Sequence, residues 1–158
     1  MKKQQKGFSL IELLIVVAII LIIAAIAIPN LLRSKMAANE ASAVGSLRSI
    51  NTAEVTYSST YPTQGFGTLA QLSYGGAACT GTIANACLID DTLAAGTKSG
   101  FNFAASNLTG TPVSTYSMNA NAITIGSSGN RSFFTDQTGV IHAKAGANGA
   151  TAADLALQ

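Results

Sequence analysis

The chain has one histidine, two cysteines and no tryptophan in 158 residues, and only 10% of it is charged. Each scarcity closes a class of function. A structural zinc site needs a full tetrahedron of N and S ligands, and Cys79, Cys87 and His142 fall short of one. A nucleophilic triad needs its histidine beside a nucleophile on a recognisable turn; His142 sits in the strand-like run GVIHA without one and reads as a surface strand residue. Asp90 and Asp91 are adjacent, which suits a solvated turn better than a converging acid and base. GFG and GSSG lack the lysine and the following helix of a phosphate loop and read as turns. No Arg or Lys cluster follows residue 48, so no basic footprint for nucleic acid is present. Asp136 is the residual candidate for calcium, but one carboxylate makes a poor cage for a hard ion. These residues predict no enzyme, no cofactor and no metal.

What the chain does have is apolar residues, 48% of the total, densest near the N-terminus. The length suits one compact domain plus an extended element. Lys2, Lys3 and Lys6 carry the positive net charge; without them six basic residues face seven acidic ones. MKKQQKG is followed by Phe8 to Ile28, apolar except for Ser9 and Glu12. As a helix, about 20 residues at roughly 1.5 Å each reach about 30 Å, enough to cross a bilayer core, with the lysines on the cytoplasmic side. An ordinary secretory signal places its cleavage site after the apolar core; here the one evident junction, Gly7-Phe8, precedes it. Cleavage there keeps the helix.

GFSLIELLIVVAIILIIAAIAIP resembles the class III signal and N-terminal helix of type IV pilins and pseudopilins. The resemblance implies cleavage between Gly7 and Phe8 by a prepilin peptidase that also methylates the amine of Phe8. It implies an α+β pilin fold: a long N-terminal helix, hydrophobic half protruding, amphipathic half packed on a small antiparallel β-sheet. The expected organisation is a cleaved leader at 1–7, a transmembrane and filament-core helix at 8–30, an amphipathic half at 31–58 and a globular head at 59–158.

A carboxylate in an apolar helix costs roughly 1 to 3 kcal/mol, so Glu12 needs an offset. The resemblance implies one, the Phe8 amine of a neighbouring subunit, which would set axial register; the bland alternative places Glu12 among lipid headgroups and water. Pro29 removes a backbone hydrogen bond and crowds the preceding turn. In pilins the matching proline lies inside a long bent helix; the alternative is termination at Asn30. Beyond it Val44, Leu47, Ile50 and Tyr57 recur near helical spacing among Arg33, Lys35, Glu40, Arg48 and Glu54, so one helix is expected over roughly 8 to 58. The charged residues read as a solvated face or as salt bridges between subunits.

From Ser59 the texture turns to Thr, Ser, Gly and Asn, with a short helix expected over residues 67 to 73, started by the capping side chain of Thr68. Cys79 and Cys87 enclose seven residues in a chain bound for export. A disulfide is the economical reading, against two free thiols or a partial metal site. VSTYSMNA, AITI, RSFFT and GVIHA are β-prone runs, with DQTG as a hairpin turn between the last two. GNRSFFTDQTGVIHA is similar to the final hairpin of many bacterial pilins. AKAGANGATAADLALQ reads as a surface tail or filament-contact loop.

The resemblance thus implies a structural pilus subunit that polymerises helically with itself for attachment, twitching motility or DNA uptake. Its implied partners are the inner membrane, the prepilin peptidase and methylase, and the assembly platform and its motors; the precursor lies in the inner membrane and the product in an extracellular filament. A pseudopilin of a type II secretion piston shares the same N-terminus, and an uncleaved membrane-anchored enzyme or binding domain is the generic alternative.

Overall fold

The computed structural model describes residues 8–76, 79 and 81–157. It divides into two units, Met1–Lys35 and Met36–Gln158. The fold is α+β, with a long N-terminal helix and a six-stranded antiparallel sheet.

Helix α1 runs from Leu10 to Thr60, with Pro29 inside it. Within the second unit its buried positions are Glu40, Ala43, Ser46, Leu47, Ile50, Ala53, Glu54 and Tyr57. Most of these steps are three or four residues, the repeat that keeps side chains on one helical face. Around that face Leu47, Ile50 and Tyr57 share a core with Phe101, Phe103, Met118, Ala120, Phe133 and Ala143.

The sheet is a meander of β1 (Thr97–Lys98), β2 (Phe101–Gly110), β3 (Val113–Ala122), β4 (Arg131–Asp136), β5 (Ile141–Ala145) and β6 (Leu155–Ala156), each paired with the next. Its register puts Phe103 opposite Ala120, Ala120 opposite Phe133, and Phe133 opposite Ala143. Large and small side chains therefore alternate across one row, which lets a helix seat against the sheet at normal packing density. Between β4 and β5, Asp136 accepts from the Thr138 N–H at 2.9 Å and Gly139 N–H donates to the Asp136 carbonyl, closing the DQTG turn.

Two short helices precede the sheet. In α2 (Leu69–Leu72) Thr68 and Gln71 form a reciprocal capping box, so the cap falls where expected. In α3 (Asp91–Ala94) Asp90 is the N-cap, accepting from Leu93 N–H. Asp90 also pairs with Lys98 at 2.8 Å and accepts from the Thr92 hydroxyl. Its pair with Lys98, chiefly through a side-chain hydrogen bond, holds it below the ordinary carboxylate range. The solvated turn read at Asp90 and Asp91 is thus a cap.

Three other readings change. AITI is not a strand: β3 ends at Ala122, and Ile123–Ile125 enter a turn closed by a bridge from Ile125 to Gly129. The C-terminal stretch is not a bare tail: Ala150 is buried, Gly149 N–H donates to Asn121, and Leu155–Ala156 extend the sheet as β6. Glu40 and Glu54, grouped with the solvated charges, are both buried.

Candidate assembly site

Sequence reasoning placed Phe8, Glu12 and Pro29 at the assembly site, and the processing junction at Gly7-Phe8. Gly7 lies outside the described residues. Phe8 is 81% exposed, and Leu10 to Ile28 present exposed Leu, Ile and Val all round the helix. The most apolar stretch averages a hydropathy of 3.3 and is not buried in the protein. A helix apolar on every side needs an apolar surround, from lipid or from other protein.

Glu12 is the third residue of α1, and its carboxylate accepts the backbone N–H of Ser9 at 2.9 Å. Ser9 stands immediately before the helix, so this contact is one arm of a capping box. Helix N-termini leave N–H groups unsatisfied and carry partial positive charge, so a carboxylate here is favourable before any neighbour arrives. Ser-x-x-Glu ahead of an apolar run was a visible signal of this contact. Pro29 is carried within α1 rather than ending it.

In the second unit, Glu40 accepts from the backbone N–H groups of Asn130 (2.7 Å) and Arg131 (3.0 Å) and from the Arg131 guanidinium (2.8 Å). These bonds pin the helix to the start of β4. Asn51 does the same lower down: its amide donates to Thr135 Oγ1 and the Gly139 carbonyl, and it accepts from the Tyr116 hydroxyl. Sequence reasoning missed Glu40, Asn51 and Glu54; their spacing from Ala43, Leu47 and Ile50 was the available signal.

Glu54 is fully buried and accepts the Gly67 N–H at 2.8 Å, while its other oxygen has no partner. Burial pushes it up to about 7, with the Gly67 hydrogen bond acting against the rise. The phenol of Tyr116 is raised mainly by its own burial and further by the charges of Glu54 and Asp136. A Cβ at Gly67 would lie 3.1 Å from the Tyr57 ring, so glycine is what lets the backbone reach Glu54.

Cys79 and Cys87 form a disulfide, with Cα atoms 5.8 Å apart. Tyr57 and Tyr61 donate their hydroxyls to the carbonyls of Ile83 (2.8 Å) and Gly81 (2.7 Å) inside that loop, tying it to the C-terminal end of α1. His142 is half-buried on β5 with Nδ1 2.9 Å from the Asp154 carbonyl, and among the described residues no three His, Cys, Asp or Glu side chains gather as a metal-ligand set.

A long helix whose exposed apolar run to Ile28 is interrupted by a glutamate at its third position, together with an α+β head, defines a pilin-type architecture. Residues 2–28 match the family model of the prokaryotic N-terminal methylation motif, so the N-terminal segment carries that motif. Among curated proteins, the chain is similar to the type IV wide pilus major component PilA4 of Thermus thermophilus, 60% identical over 38 residues. That alignment covers 24% of this chain and 29% of the relative, so the chain matches under a third of the relative's length. No solved structure matches the chain significantly.

Proposed function

We propose that the protein is a structural, non-enzymatic subunit of a type IV pilus, assembled helically through α1. The observation that carries this reading is the exposed apolar run from Phe8 to Ile28, headed by Glu12 and lying within the methylation motif. Lipid covers the run while the precursor waits in the inner membrane; the same run of neighbouring copies covers it in the filament. The contact joins unlike surfaces and does not close, so it grows a filament rather than a ring.

In this reading the peptidase cuts between Gly7 and Phe8 and the new amine of Phe8 is methylated. The amine then meets Glu12 of an adjacent copy. A paired amine and carboxylate are tolerated in an apolar interior where either alone is costly, so the pair fixes axial register. Pro29, lacking an N–H, is where α1 gives most cheaply as neighbours pack. An assembly platform and motors supply the work; surface attachment, twitching motility and DNA uptake are the roles such a filament serves.

The test is electron microscopy of filaments sheared from the cell surface, with intact-mass analysis of their main subunit. The expected mass lacks Met1–Gly7 and carries one added methyl on Phe8. Filaments built from another chain, or a subunit that keeps its leader, would overturn the reading.

A further inference from the structure

We propose that Glu54 is a proton-operated latch on the connector Tyr61–Thr68, which closes over the neutral acid and loosens when the carboxyl ionises. The latch belongs to the head alone and does not rest on the pilus assignment.

Glu54 is 0% exposed, yet it faces no cation. Among the described residues the ion pairs are Lys98–Asp90 and Arg131–Glu40, and neither includes it. The titratable groups around it are all acids: Tyr57 from α1, Tyr116 from β3, and beyond them Tyr61 and Asp136. One N–H, from Gly67, meets one carboxylate oxygen, and the other oxygen is buried without a partner. A neutral carboxylic acid can sit there at modest cost. A carboxylate with one donor and no counter-ion cannot, and it gains most by admitting water.

Water must enter through whichever cover yields first. α1 and β3 are held by helical and ladder hydrogen bonds along their lengths. The connector is fixed at its ends, by Tyr61 to Tyr57 and Gly81 and by Thr68 in the α2 capping box, but between them it is held to the sheet by Phe66 N–H to Val113 carbonyl (3.0 Å), Val113 N–H to Gln64 carbonyl (2.9 Å) and the Phe66 ring at 4.8 Å from that of Tyr116. Loops with few buried contacts open locally at lower free energy than the elements they join. The connector is therefore the moving part, and Gly67, whose N–H touches the carboxylate, reports its state.

The sign follows from linkage. Burial raises the Glu54 pKa from 4.5 to about 7 in the closed state, and opening restores the ordinary value. Opening therefore releases a proton between those limits and becomes easier as pH rises through that window, then levels off above it.

The experiment is amide hydrogen exchange on the full-length mature protein in detergent micelles, corrected for intrinsic exchange. Protection over residues 61–68 should fall about tenfold between pH 6 and pH 8, while β4 keeps its protection. In Glu54→Gln the fall should vanish. Flat protection of the connector in the wild-type protein, or an equal fall in the variant, overturns the latch. Should the variant not fold, the wild-type protein decides alone: the assigned carboxyl carbon of Glu54 should titrate near neutrality in NMR. If the Glu54 carboxyl has titrated by about pH 5, the proposal fails.

Discussion

The three glutamates of the chain all lie on α1, and each meets a different answer to the cost of a carboxylate beside apolar groups. Glu40 has two backbone N–H donors and a guanidinium, enough to satisfy an ionised group. Glu54 has one donor, and its burial favours the neutral acid. Glu12 has a single N–H at its own helix terminus and is exposed to whatever surrounds the helix. In the proposed filament, surrounded by other apolar helices, that one bond leaves most of its charge uncompensated, and the offset is a positive group from a neighbour. Glu12→Ala should therefore cut filament yield at least about tenfold while leaving the head folded, because the lost partner is between copies. Yield is read from sheared material and folding from circular dichroism of the solubilised subunit; wild-type filament yield in the variant would remove Glu12 from assembly. Glu12 stood out from the sequence because it interrupts an apolar run. Glu40 and Glu54 did not, because charge type was weighed above position: residues 40, 43, 47, 50, 54 and 57 step by three and four, and the glutamates at either side of Leu47 and Ile50 share their face.

Elements with a strong period were legible and those assembled from small residues were not. α1 was expected over roughly 8 to 58 and runs from Leu10 to Thr60; RSFFT and GVIHA became β4 and β5 across the anticipated turn. β2 went unread because FNF alternates for only three residues before Ala, Ser and Asn take over, and its pairing with β3 supplies the rest. The C-terminal stretch failed for a related reason: Ala150 is buried and Asn148 and Gly149 bond to the end of β3, and a run of Ala and Gly carries no periodic signal of that. The disulfide was legible from its isolation in a chain read as bound for export, and the two tyrosine hydroxyls that tether its loop to α1 were not. Those tethers hold the loop in place without the covalent bond, so the double variant Cys79→Ala, Cys87→Ala should still fold. Closing so short a loop stabilises by about 2 to 3 kcal/mol, equivalent to roughly 5–10 °C in melting temperature for a chain of this size. Calorimetry of the solubilised protein tests this, and an unchanged melting temperature would mean that the tethers alone set the loop. Filament yield should survive the change, since in the proposed filament α1 carries the contact between copies.

At the scale of the molecule, the proposed assembly exchanges one apolar surround for another. Lipid tails are as apolar as leucine, so moving α1 from membrane to filament gains little hydrophobic free energy, and packing and motor work must drive the step. Leaving the filament for water is different. Fourteen Ile, Leu and Val residues lie between Phe8 and Pro29. At about 1.5 to 3 kcal/mol for each fully buried side chain, even half burial puts the cost above roughly 10 kcal/mol per subunit. Charge contributes little to that total, because Glu12 is the one ionisable side chain between Phe8 and Leu32. Salt therefore has almost nothing to screen in the filament interior, while detergent can replace the apolar neighbours directly. Purified filaments should stay in the pellet on centrifugation in about 1 M salt and pass to the supernatant as subunits in a micelle-forming detergent. The opposite pattern, dispersal by salt and persistence in detergent, would place cohesion in charged contacts between heads and would take from Phe8–Ile28 the role assigned to it.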